Sequence, residues 1–206
     1  MDILPINQHR PEERAIQAAV STLRRGGILI YPTDTCYGLG CDARNVRAMA
    51  RIAQLKGRAA AKKFSVIVRD VDSIEEITVV NGVQREIIQH YLPGPYTFVL
   101  LNADFRVAST NTLGVRVPDC AITQAIASAF GEPYITTSAN RAGTGALYSQ
   151  AEIRENLLNH LDLGHLPDLI LDAGELPRTD TSTVVDLTKS PPVVLRQGSG
   201  VFTWPD

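Results

Sequence analysis

Lysine is scarce in this sequence. Of 20 basic residues only four are lysine, and three of those, Lys56, Lys62 and Lys63, fall beside Arg58 in one stretch, "LKGRAAAKKF". The net charge is −2. That balance excludes a basic coat for nucleic acid and leaves a local cluster suited to a confined anionic ligand. A solvated basic loop accounts for the same run.

Cysteine is sparse as well. Cys36, Cys41 and Cys120 form an odd set without CxxC spacing, which argues against a disulfide framework and for reduced thiols in a cytoplasmic protein. No apolar run reaches the length of a bilayer span, and "MDILPINQHRPEER" has no basic region followed by an apolar segment. Neither a membrane association nor a secretion signal is expected. The histidines, His9, His90, His160 and His165, make no HxxxH and no cluster with acids, so no metal site is expected. None lies near Cys36 in sequence, so that thiol has no evident activating base and reads as a small packed or surface residue. A Walker loop and a GxGxxG are both missing, so a nucleotide would be held without either glycine motif.

What is present is regular alternation. "PEERAIQAAVSTLRRGG" carries apolar residues at helical spacing, with acids in its first turn and glycine after its last basic pair. "GILIYPT" reads as a buried strand ended by Pro32. "NVRAMARIAQLKG" is a second helix, with Val46, Met49, Ile52, Ala53 and Leu55 as its stripe. Strand and helix patterns continue through "FSVIVRD", "GVQREIIQHYL", "YTFVLL", "LGVRVP", "AITQAIASAFG", "PYITTSAN" and "SQAEIRENLLNHL". Three strands, "DLILDAG", "TSTVVDL" and "PPVVLRQG", close the chain. The pattern predicts one α/β domain over residues 1–206, core about 10–198, with a twisted, mixed, partly parallel sheet flanked by helices. Polar turns follow several strands, as in "PTDT", "SANRAG" and "RQGSG". In open α/β sheets ligands sit at strand ends, and these turns build one site if they share an end.

Four places suggest chemistry. "YPTDTCYGLG" puts two hydroxyls, an acid and a thiol in adjacent positions after a strand. They form a binding surface or bond their own backbone. In "KGR", Lys56 and Arg58 suit a phosphate group, and basic capping of a helix end explains them equally. In "TTSAN", Ser138 and Asn140 can read a ribose, a phosphate or an amino acid, or close a turn. Arg116 in "GVRVP" sits among apolar residues and needs a carboxylate from the protein or an anion from a ligand. Arg196 in "VVLRQG" raises the same question.

"YPTDTCYGLG", "LKGR", "LPGPYTFVL", "LGVRVP", "TTSAN" and "TSTVVDL…PPVVLRQG" follow one another as in the YrdC/YciO family, which the chain resembles over nearly its whole length. The resemblance implies a YrdC-like fold with a concave cationic cavity. It also implies a threonylcarbamoyl-AMP synthase, a nucleotidyltransferase that joins L-threonine, bicarbonate and ATP and releases pyrophosphate. Its product would go to proteins that modify tRNA with threonylcarbamoyladenosine. Carried over by motif, Lys56, Arg58, Ser138 and Asn140 are the catalytic set. Thr35, Arg116 and Ser182 contact threonine. Arg58, Lys62, Thr112, Ser138, Asn140 and Arg196 contact the nucleotide. Mg2+ is expected with ATP. The stretches "RAAAKKFSV" and "RAGTGALYS" depart from the family pattern, and the length and the ending "LRQGSG" are similar to the YciO branch. The alternatives are therefore a YciO-type paralogue acting on another small acid, or a double-stranded RNA or tRNA binder without synthase activity. RNA binding, with one dense basic cluster, is expected to be weak and lost in salt.

Overall fold

In a computed structural model, residues 1–57, 64–161 and 166–204 are described. Arg58, Lys62, Lys63 and His165 lie outside the described residues. The strands are β1 (Asp2–Pro5), β2 (Leu29–Pro32), β3 (Tyr37–Gly40), β4 (Ser65–Ile67), β5 (Thr78–Val79), β6 (Tyr96–Asn102), β7 (Thr112–Arg116), β8 (Tyr134–Ser138), β9 (Leu169–Asp172), β10 (Thr183–Asp186) and β11 (Val193–Arg196). The helices are α1 (Glu13–Arg24), α2 (Val46–Leu55), α3 (Asp72–Ile77), α4 (Gly82–Tyr91), α5 (Ala121–Phe130) and α6 (Gln150–Asn156). One sheet runs β1-β9-β2-β3-β8-β4-β7-β6-β10-β11, with β5 paired to β6. Parallel pairs such as β2–β9 and β4–β7 are mixed with antiparallel ones such as β2–β3 and β6–β7. This is the expected α/β domain with a mixed sheet. Among the described residues no helix is long and apolar enough to cross a membrane.

Two cores lie on opposite faces of the sheet. Ile28 and Ile30 enter one, and Leu29 and Tyr31 enter the other. Burial on both faces is why the second strand reads as an unbroken apolar run. The helix stripes bury as their spacing predicts, with one exception. Asn45 caps α2 by accepting from Ala48 N at 3.0 Å, and Ala48, Met49, Ile52, Ala53 and Leu55 are buried. Val46 points to solvent from the first turn, so the stripe begins later than the sequence predicts.

Four elements escape the sequence pattern: β1, β3, α3 and β5. β1 pairs in parallel with β9, so the sheet begins before the core expected from about residue 10. β3 matters most, because it turns "YPTDTCYGLG" into a hairpin. Pro32 pairs with Tyr37 across a loop at 33–36. Glycine is usually depleted in strands, but here packing demands it. A Cβ on Gly40 would stand 2.2 Å from the Ile135 carbonyl oxygen, and one on Gly38 would stand 3.0 Å from the Tyr31 ring.

Candidate functional site

On one side of the second half of the sheet, alternate residues feed the core. Phe98, Leu100, Leu113, Val115 and Val185 are buried there. The residues between them face a cavity of about 770 Å³. Registered pairs carry one row across its floor, from Thr136 through Ser65, Gly114 and Val99 to Asp186. The site is therefore floored by the face of the sheet. The polar turns expected at the strand ends supply its walls, and the sheet face adds a floor that the expectation lacked. The period of two explains the floor, since each strand gives one face to the core and the other to the cavity.

The 33–36 loop answers the question posed by its hydroxyls in two ways. Thr33 Oγ1 donates to the Cys36 carbonyl at 2.7 Å and accepts from the amides of Thr35 and Cys36 at 3.1 and 3.2 Å. Thr33 thus bonds its own backbone and stiffens the loop. Thr35 has its hydroxyl 3.1 Å from that of Thr33 and lines the cavity. Its carbonyl accepts from Thr179 Oγ1 at 3.1 Å, which ties the loop to the segment before β10. Cys36 also lines the cavity. Burial pushes its thiol above the ordinary value, with the Arg116 charge opposing, so it stays protonated.

Lys56 follows α2 as its C-cap and is buried. Its ammonium donates to the carbonyls of Ser138 and Asn140, the latter at 2.7 Å, and lies 3.3 Å from Asn140 Oδ1. In return, Ala142 N donates to the Lys56 carbonyl at 2.9 Å. Ser138 Oγ donates to Asn140 Oδ1, and Asn140 Nδ2 donates to the carbonyls of Arg141 and Thr144 at 3.0 and 2.5 Å. Asn140 therefore closes its turn while facing the cavity. Lys56 does sit at a helix end, but as a buried clasp on the Ser138–Asn140 turn rather than a solvated basic cap.

Arg116 takes its carboxylate from the protein. Its Nη2 is 2.7 Å from Asp34 Oδ1, with the side chains 9% and 7% exposed. Its Nε is buried without a hydrogen-bond partner. At the far end of the floor, Arg196 Nη2 donates to Ser182 O at 2.7 Å and to Ser182 Oγ at 3.1 Å. Ser182 shares a 2.8 Å hydrogen bond with Thr97. The pairing of β10 with β11 shifts register after Val184, and both Leu195 and Arg196 line the cavity. A bulge of this kind re-aims side chains, and here it brings two successive residues to one site. Desolvation, and then the nearby Arg116 charge, pull Arg196 below the ordinary guanidinium value.

The cavity gathers the candidates read from the sequence. Thr35, Lys56, Thr112 and Arg116 line it, and so do Ser138, Asn140, Ser182 and Arg196. Arg58 and Lys62 lie outside the described residues. The motif reading missed Thr97, Ser65, Asp186 and Arg141, all of which line the same space. A signal for three of them was present: a polar residue every second position on otherwise apolar strands. Asp34 lies within "YPTDTCYGLG", but its partner Arg116 is 82 residues away in sequence. Among the described lining residues, Lys56, Arg116, Arg141 and Arg196 face a single carboxylate, Asp186. Among the described residues no three His, Cys, Asp or Glu side chains group as a metal site.

Comparison with known proteins shows the family and the fold. Residues 21–198 match the Sua5/YciO/YrdC family, described as "Telomere recombination". The uncharacterized protein YciO of Escherichia coli K12 is 34% identical over 201 residues, covering 95% of this chain and 94% of that one. The crystal structure of E. coli YciO superposes with a TM-score of 0.85 at 33% identity, over 98% of each chain. Threonylcarbamoyl-AMP synthase of Mus musculus is 34% identical over 199 residues, 89% of this chain and 68% of that one. P. abyssi Sua5 complexed with L-threonine has a TM-score of 0.84 at 29% identity, over 96% of this chain. The alignment spans only 58% of that Sua5 chain, less than two thirds of its length. With six motifs in order, one cavity that gathers them and a family match over most of its length, the chain belongs to the Sua5/YciO/YrdC family.

Proposed function

We propose that this protein is a threonylcarbamoyl-AMP synthase. The observation that carries the reading is convergence: eight candidate residues from five of the six motifs line one cavity. In this reading, the threonine amine takes up CO2 from bicarbonate to give a carbamate. A carbamate oxygen forms a bond to the α-phosphorus of ATP as the bond to pyrophosphate breaks. Arg116 holds the threonine carboxylate, and Thr35 and Ser182 contact the rest of the amino acid. Thr112 and Arg196 hold the nucleotide, and Arg58 and Lys62 join Ser138 and Asn140 around its phosphates. The protein acts by positioning and by neutralising charge that grows at the phosphates. Magnesium is usually bound through one or two carboxylates and substrate phosphates. Asp186 is the one carboxylate among the described lining residues, so phosphate oxygens and water would supply magnesium's other ligands.

Pyrophosphate release from ATP is expected to require threonine and bicarbonate together. Serine lacks one methyl and should be used less well, by about 1–3 kcal/mol in kcat/KM. Mass spectrometry of a reaction with labelled threonine should find the mixed carbamic–phosphoric adenylate. Turnover that is equal without amino acid would refute the synthase. A second reading, a YciO-type paralogue acting on another small acid, is favoured by the near-equal lengths of this chain and E. coli YciO. Adenylate formation with a different amino or hydroxy acid, and none with threonine, would select it. Tight RNA binding at physiological salt, with no adenylate formed, would favour the RNA-binding alternative instead.

A further inference from the structure

Four cations line the cavity among the described residues, and three of them are committed within the protein. Arg116 is tied to Asp34, and Arg196 to Ser182. An ammonium has three N–H donors, and three oxygens take those of Lys56. Lys56 cannot donate to a phosphate without giving up one of them. Arg141 is different. Its carbonyl accepts from Asn140 Nδ2, Thr144 N and Thr144 Oγ1, which fixes its backbone. The neighbouring residues on both sides, Asn140 and Ala142, are bonded to Lys56. Arg141 lines the cavity as a solvent-exposed residue, and its guanidinium makes no bond or ion pair within the described residues. An uncommitted guanidinium on a fixed backbone can meet an anion without breaking a bond of the fold, and its fork matches phosphate oxygens.

The sheet order says which anion. Arg141 follows β8, Arg116 is on β7 and Arg196 is on β11. From β8 to β11 there are five strand steps, roughly 24 Å across the floor at the usual spacing. In the synthase reading Arg196 at the β11 end holds the nucleoside side of ATP, while Ser138 and Asn140 at the β8 end face its phosphates, so an anion held by Arg141 beside them is the pyrophosphate part. We infer that Arg141 gives this turn a charged contact to the pyrophosphate moiety of ATP, beside Ser138 and Asn140, and that Lys56 is a positioning residue that holds the turn. The inference rests on the synthase reading and names a residue to which neither the motifs nor the comparisons give a role.

The test is calorimetric titration of the full chain with inorganic pyrophosphate, ATP with magnesium, and AMP. Arg141→Ala should weaken pyrophosphate and ATP by about tenfold or more, the worth of a charge-assisted bond. AMP affinity and the melting temperature of the free protein should not change, since the guanidinium supports nothing in the fold. Arg154→Ala removes the same charge from an exposed site on α6, outside the cavity, and should leave all three affinities as in wild type. In a Lys56→Ala background, the further loss on Arg141→Ala should shrink to about twofold or less, because a positioning residue acts through the group it holds. Additive losses would make Lys56 an independent phosphate donor and overturn its assignment. Wild-type pyrophosphate affinity in Arg141→Ala, or an equal loss for AMP, overturns the role of Arg141 while leaving the synthase reading intact. A wild-type protein that binds neither ATP nor pyrophosphate sinks both.

Discussion

Lys56→Ala is expected to lose turnover completely and to melt lower than wild type. The two losses have one cause. The ammonium is buried and serves the carbonyls of Ser138 and Asn140. Truncation strands those oxygens at the end of β8. A buried acceptor left unsatisfied costs about 1–3 kcal/mol. Removing the desolvated charge offsets part of that for the pair. A net cost of about 2 kcal/mol corresponds to roughly 4–8 °C for a domain of this size. Calorimetric melting and a pyrophosphate-release assay on the same preparation check both effects. An inactive variant with the wild-type melting temperature would mean that the clasp contributes nothing to stability and that Lys56 acts on substrate alone.

The position of Lys56 illustrates what the sequence can disclose and what it cannot. Its helix is legible because apolar residues recur at the helical period and Asn45 provides a start signal. The ammonium's partners are 82 and 84 residues away, and no local pattern points to them. The same holds for Asp34 and Arg116. The sequence shows that an arginine on an apolar strand needs a partner, and only the fold brings the 33–36 loop beside β7. Strand β3 failed for another reason. "YGLG" looks like a turn because glycine propensity is a local prior, and the close approach of Tyr31 and Ile135 overrides it. The short segments β1, β5 and α3 carry too few residues for a period to emerge. The cavity floor was more readable than the motif reading made of it. "YTFVL", "TLGVR" and "STVVD" each alternate core residues with residues that face the ligand space.

Arg116→Ala should both destabilise the protein and end threonine-dependent turnover, and the two effects separate in a second variant. Wild type holds the guanidinium against Asp34 at 2.7 Å with both side chains almost wholly out of solvent. Desolvation makes such a pair nearly neutral for stability when it is intact. Removing one partner leaves a buried charge alone, at a cost of about 3–5 kcal/mol. Asp34→Asn in the Arg116→Ala background removes that stranded charge. The amide can still accept from Asp119 N, as the carboxylate does at 3.2 Å, so the loop keeps its anchor. The double variant should therefore melt higher than Arg116→Ala alone. In the synthase reading neither variant regains turnover, because nothing remains to hold the threonine carboxylate, while ATP still raises the melting temperature of both through its own contacts. Denaturant titration of the wild type, both single variants and the double gives the coupling between the two residues directly. A double variant no more stable than Arg116→Ala would show that Asp34 is solvated once Arg116 is gone. Restored turnover in the double variant would remove Arg116 from the threonine site and leave the ion pair with a structural role alone.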